Sequence, residues 1–146
     1  MNRLFRNYAL QCRRNYVGAV RVLPMPRLSP SMKVGTILQW HCKPGDLIQT
    51  YDLLFDVRPD ELVAVKLDEE SHPDMEIEST DEMHFVKILG NGRTYAAGTP
   101  VAILCECECD IAEAQGIDLP LDMDVYDSTF PVALWQAYTK QKTTSS

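Results

Sequence analysis

The sequence predicts an all-β sandwich or barrel, on three observations: short runs with alternating apolar positions, turn signals between them, and no helical periodicity before Cys109. The runs are Arg21 to Pro26, Gly35 to Cys42, Asp52 to Val57, Leu62 to Leu67, Met75 to Ser79, His84 to Leu89 and Pro100 to Cys107. Lys43-Pro44-Gly45-Asp46, His72-Pro73-Asp74 and Gly90-Asn91-Gly92 punctuate them. Pro24 and Pro26 fix φ and lack an amide donor, which suits an edge strand or its first residues. Gly35, Gly45 and Gly98 interrupt β runs where a turn or a positive φ is needed. Ile37, Leu38, Trp40, Leu54, Val57, Ile77, Phe85, Ile88, Val101 and Ile103 supply the alternating positions of a two-sheet core, with Trp40 as packing rather than a ligand platform. Past Cys109 the character changes: Asp110 to Ala114 suits one helical turn, and Leu119 to Tyr126 an acidic extended stretch. Asp127-Ser128-Thr129 offers N-caps before Phe130, with Pro131 suited to a first turn, so a short C-terminal helix is expected from about Pro131 to Lys140.

With 146 residues, the chain has room for one domain of ordinary size plus tails. Its 45% hydrophobic and 24% charged residues are those of a globular protein, and no apolar run approaches the roughly 20 residues that cross a bilayer as a helix. Charge is uneven. Residues 1–21 hold five of the 14 Lys and Arg (Arg3, Arg6, Arg13, Arg14, Arg21) and no acid, interleaved with apolar and aromatic side chains. Such an arm, residues 1–20 of the chain, reads as a mitochondrial targeting segment or, in the other reading, as a basic arm for nucleic acid or an acidic partner. Residues 22–146 then carry nine basic residues against all 21 acids, a net −12. That charge repels phosphate backbones and favours encounter with basic protein surfaces, so direct RNA contact is disfavoured.

Five cysteines form no C-x-x-C pair, which excludes a zinc ribbon, and no secretory signal supports a disulfide framework. Cys105, Cys107 and Cys109 alternate along the expected last strand and would share one face as small half-buried thiols, without further metal ligands nearby. His41, His72 and His84 are dispersed, and His41 beside Cys42 is a weak metal signal only. No nucleophile with its base and no phosphate-binding glycine loop is present, so no catalytic residue and no metal site is expected.

Val22-Leu23-Pro24-Met25-Pro26-Arg27-Leu28-Ser29-Pro30-Ser31-Met32, followed by Gly35-Thr36-Ile37 and Trp40, resembles the opening of a lipoyl domain from the acyltransferases of mitochondrial 2-oxoacid dehydrogenase complexes. The resemblance continues through Gly45-Asp46, Met75-Glu76-Ile77-Glu78-Ser79, Val86-Lys87-Ile88-Leu89 and Gly98-Thr99-Pro100-Val101-Ala102-Ile103-Leu104, with Glu108 to Ile111 similar to the exit from such a domain. It covers residues 21–108 and leaves residues 109–146 as an acidic tail with its short helix. It implies a flattened barrel or sandwich of two four-stranded antiparallel sheets, here with an extended hairpin.

The family presents its lipoyl lysine at a tight hairpin tip within Thr-Asp-Lys-Ala. Counting forward from Asp52 puts Glu61 at that position, and counting back from Met75 puts His72 there. The two counts differ by 11 residues, so the hairpin carries an insertion, and neither count lands on lysine. Lys66 is the one lysine of the segment. It alternates with Val63, Val65 and Leu67 like a solvent-facing strand residue, or is an offset lipoylation site. The turn is expected at Asp68 to Asp74, an acidic tip that includes Glu69 and Glu70. Met83 stands where the family has a glycine, and the Met-Lys-Met tip of biotin carriers is missing. No cofactor is therefore expected, with covalent lipoate on Lys66 as the alternative.

From Asp56 to Glu82 the chain has 11 carboxylates against Arg58 and Lys66, either a solvated face or a docking surface for a basic partner. Phe130, Leu134 and Tyr138 recur every fourth residue and, with Trp135, would form one side of the C-terminal helix, packed on the domain itself or, as preferred, on a partner subunit. A swinging carrier would instead be followed by a long Ala/Pro-rich linker. The resemblance and these departures imply a non-catalytic subunit of a large assembly in or facing the mitochondrial matrix: a 2-oxoacid dehydrogenase, respiratory-chain or mitoribosomal complex. It would have no small-molecule substrate. The alternative is an acyl carrier of a 2-oxoacid dehydrogenase complex, modified at Lys66.

Overall fold

A computed structural model of the protein describes residues 20–60 and 74–139. The basic arm and residues 61–73, among them Glu61, Lys66, Glu69, Glu70 and His72, lie outside the described residues.

Among the described residues, nine strands form two antiparallel sheets: β1 (Val20–Pro24), β2 (Val34–Trp40), β3 (Leu47–Ile48), β4 (Leu53–Pro59), β5 (Met75–Ser79), β6 (Met83–Ile88), β7 (Thr94–Ala96), β8 (Pro100–Cys105) and β9 (Trp135–Thr139). One sheet has the order β1-β8-β6-β3 and the other β7-β2-β4-β5-β9. The fold class predicted from sequence is thus observed as a sandwich of two separate sheets rather than a closed barrel, and the second sheet has five strands, not four. Pro24 lies at the end of the edge strand β1, where its missing amide costs no ladder bond, and the register with β8 shifts there.

Between the sheets pack Leu23, Met25, Ile37, Leu54, Phe55, Val57, Ile77, Phe85, Val101 and Leu104, all buried, with Trp40 and Ile88 partly buried against them. Trp40 sets its ring 5.0 Å from Phe55 and 5.7 Å from Phe85, the tilted and edge-on contacts that aromatic quadrupoles favour. Gly35 is required here by space rather than by φ. A Cβ would stand 2.7 Å from Met25 Sδ and 2.8 Å from Met32 Cε.

A second apolar cluster lies on the outer face of the β1-β8-β6-β3 sheet. Val20, Val22, Val86, Leu89, Ile103 and Cys105 point outward, and Ala114, Ile117, Leu119 and Val125 of the C-terminal segment cover them, with Phe130 and Val132 packed alongside. This cover begins as a 3-10 turn at Glu108–Asp110, continues as the one-turn helix α1 (Ile111–Gln115), as expected near Asp110, and passes a 3-10 turn at Val125–Asp127. β8 is consequently buried at every position, which explains why Pro100 to Cys105 reads as continuous rather than alternating apolar sequence.

The helix expected from Pro131 to Lys140 is not formed. The chain instead bridges β1, with Val22 N–H donating to Pro131 O and Ala133 N–H to Val22 O, and then pairs with β5 from Ser79↔Trp135 to Met75↔Thr139. A helix of that length is marginal alone, whereas the free edge of β5 offers a full ladder of amides and carbonyls.

Candidate functional site

The β4–β5 hairpin is where the resemblance places the functional lysine. Its strands pair in regular register from Phe55↔Ile77 to Val57↔Met75, and the base of the hairpin is pinned beyond the ladder. Arg58 Nε and a terminal guanidinium N–H donate to the two carboxylate oxygens of Asp74 at 2.8 and 3.2 Å, a fork geometry that fixes direction as well as distance. Across the sheet, Asp60 Oδ1 accepts from the amides of Lys33 and Val34 at 3.0 and 3.2 Å, and Asp60 N–H donates to Val34 O. The described ends of the hairpin, at Arg58 to Asp60 and at Asp74, are thus held on both sides.

Several acids of the expected solvated or docking face are spent internally. Asp56 is fully buried, and its carboxylate meets His41 Nε2 at 2.9 Å under a half-covered imidazole. Asp74 and Asp60 are committed to the base, and Glu78 accepts from Gln136 Nε2 of β9. Of the stretch 56–82, Asp56, Asp60, Asp74 and Glu78 are thus bonded within the domain, and residues 61–73 lie outside the described residues. Charge at either end serves the fold, because a strand that buries one face places its other residues within reach of neighbouring strands.

His41 and Cys42 do not act together. Cys42 donates its thiol to Leu54 O, and burial, helped by the charges of Asp46 and Asp52, pushes its pKa up to about 12, so it is a core thiol rather than a nucleophile. His41, Cys42, Asp46 and Asp52 nevertheless line one shallow groove of about 460 Å³. With the imidazole on Asp56 and the thiol on a carbonyl, the groove holds no activated cysteine.

The predicted partner-binding residues of the tail separate. Along β9 the side chains alternate, so Trp135 and Ala137 pack against the core between the sheets while Leu134 and Tyr138 stay exposed at 60% and 48%. Phe130 packs on the outer cluster. The four residues therefore do not form one helical stripe: Phe130 and Trp135 are partly buried against the domain itself, while Leu134 and Tyr138 face outward. Trp135 also reaches Tyr126, whose ring lies 5.6 Å from the Arg27 guanidinium, and together with Leu28 to Pro30 these residues line an open groove of about 700 Å³. The sequence signal for the cover was the unbroken apolar run of β8.

The cysteines depart from the expected common strand face, because β8 ends at Cys105. Cys105 is buried, with its thiol on Cys107 O, and the 3-10 turn then folds Cys107, Cys109 and Asp110 together, with the two sulfurs and a carboxylate oxygen within 4.8 Å of one another. Asp110 is the carboxylate beside the two thiols, which the sequence did not single out.

No family model matches the chain. It is 34% identical over 92 residues, 62% of its length, to a dihydrolipoyllysine-residue acetyltransferase component of the mitochondrial pyruvate dehydrogenase complex from Neurospora crassa, covering 18% of that protein. It is 33% identical over 114 residues, 77% of its length, to the corresponding component of Schizosaccharomyces pombe, covering 20% of it. A pyruvate dehydrogenase complex protein X component of Saccharomyces cerevisiae is 26% identical over 96 residues, covering 64% of the chain and 21% of that protein. The chain thus spans about a fifth of the relatives it matches, and the similarity supports the resemblance to a lipoyl domain.

Proposed function

We propose that the protein is a non-catalytic interaction or structural subunit of a large mitochondrial assembly, related to the 2-oxoacid dehydrogenase complexes, and that it uses a lipoyl-type sandwich as a rigid platform rather than as a carrier. The observation that carries this reading is the pinned hairpin. Its base is fixed by Arg58–Asp74 and by Asp60 on the β2 amides, yet its sequence offers Glu61 or His72, not lysine, at the positions the resemblance assigns to the lipoyl group. The acidic residues Asp68, Glu69 and Glu70 of the hairpin sequence suit docking to a basic protein surface, where charge steers encounter. The similarity to mitochondrial pyruvate dehydrogenase components supports the location and the class of host. On this reading the protein carries no lipoyl group and takes no small-molecule substrate. The names of the same relatives favour a second reading, an acyl carrier lipoylated at Lys66. Intact-mass spectrometry of the protein purified from mitochondria separates the two: an unmodified Lys66 and co-sedimentation with a high-mass assembly are expected, and a lipoyl adduct on Lys66 rejects the platform in favour of the carrier.

A further inference from the structure

At the end of β8 the structure assigns a binding site for one thiophilic divalent cation of the zinc class, formed by the thiolates of Cys107 and Cys109 and the carboxylate of Asp110. The ligand atoms of these three residues lie within 4.8 Å of one another. Two bonds of about 2.3 Å at a tetrahedral metal hold sulfurs about 3.8 Å apart, so small side-chain rotations complete the set.

The independent observation is the behaviour of Asp110. It occupies the N-cap of α1, where an aspartate ordinarily accepts an amide of the first helical turn, and it makes no such bond. Its residue is 2% exposed, and its Oδ2 is buried without a hydrogen-bond partner. Burying a carboxylate in this way is costly unless something positive meets it. Arg21 does not meet it: one guanidinium nitrogen pairs with Glu106, and Nη1 is itself buried without a hydrogen-bond partner. A cation at the two sulfurs supplies the missing partner.

The turn places the ligands suitably. The Asp110 amide donates to Cys107 O, which closes the 3-10 turn and sets the two cysteines of a C-x-C pair on one side. Cys109 is exposed, which gives an entry path and leaves the fourth coordination position to a solvent molecule. Binding replaces two S–H bonds by two metal–sulfur bonds and releases two protons to solvent, with no change of oxidation state. Because the ligands bind as thiolates, protons compete with the metal and affinity rises with pH.

The test uses the full-length chain, fully reduced and without oxygen, titrated with Co2+ and then Zn2+. Expected are one Co2+ per chain with a thiolate-to-cobalt charge-transfer band, displacement by equimolar Zn2+, and release of two protons per ion. Cys107→Ser and Cys109→Ser should each abolish the band, Asp110→Asn should weaken uptake about tenfold or more, and Cys42→Ser should leave it unchanged. Each variant's circular dichroism and melting curve without metal verify its fold. In the unaltered chain, Zn2+ should also protect Cys107 and Cys109 from alkylation, read peptide by peptide. Absence of the band and of protection at excess metal overturns the site, as does a band that survives both serine variants.

Discussion

Gly98 joins the C-terminal segment to the sandwich. It has φ +92°, and a Cβ there would run into the carboxylate of Asp124. That carboxylate accepts the Tyr126 amide and pairs with Arg27, while the Val125 amide donates to Gly98 O. Gly45, at φ +99°, has nothing within 4 Å of its Cβ position. The pair therefore separates backbone strain from steric displacement. Gly45→Ala should cost about 1 kcal/mol from φ alone, and Gly98→Ala about 2–3 kcal/mol because Asp124 must also move. Urea unfolding midpoints of the two variants check this, and equal losses would mean that Asp124 is not seated over Gly98. Sequence reading flagged both glycines as turn residues but gave no sign of Asp124, which approaches from a segment 26 residues later.

At the scale of elements, the β9 strand shows what sequence pattern could and could not resolve. Phe130, Leu134 and Tyr138 recur every fourth residue, and a spacing of four satisfies a helix face and a strand face equally. Capping residues before Pro131 tipped the expectation to helix. The deciding fact was long-range: β5 had a free edge, which no local signal reports. Strands β1, β2, β4, β5, β6 and β8 were legible because their turns and alternation are local. The outer cover was legible only indirectly, through the unbroken apolar run of β8, whose two buried faces demand a second layer. In the candidate site the roles of Arg58, Asp60 and Asp74 were hidden among other charges, since only register reveals which face each other. The strand assignment carries its own test. Trp135→Ala, which uncovers the core between the sheets, should cost about 1–3 kcal/mol, and Leu134→Ala and Tyr138→Ala should stay within about 0.5 kcal/mol. Thermal melts of the three variants decide it; comparable losses at Leu134 and Trp135 would contradict the alternation.

For the whole molecule, the question is which stretch of chain is the folding unit. The resemblance ends at residue 108, yet the sheet β1-β8-β6-β3 turns Val22, Val86, Leu89 and Ile103 outward, and among the described residues those beyond 108 cover them. Fully burying one such side chain contributes about 1.5–3 kcal/mol, so uncovering this face forfeits several kcal/mol before the buried faces of Ala114, Ile117, Leu119 and Val125 are counted. Net stabilities of domains are about 5–15 kcal/mol, which leaves a chain cut at 108 near or below the threshold. It would also expose the free edge of β5 together with an apolar sheet face, the combination that invites edge-to-edge association. A chain of residues 20–139 should therefore melt cooperatively as a soluble domain, and one of residues 20–108 should bind a hydrophobic dye, lack a cooperative melt, or aggregate. Cutting at 128 gives the intermediate case, because it keeps α1 and Val125 on the outer cluster but removes the β1 bridge and β9. A 20–108 chain that melts cooperatively at the temperature of the longer one would show that the segment after 108 is peripheral to the fold, and would restore its aromatic residues as anchors for a partner.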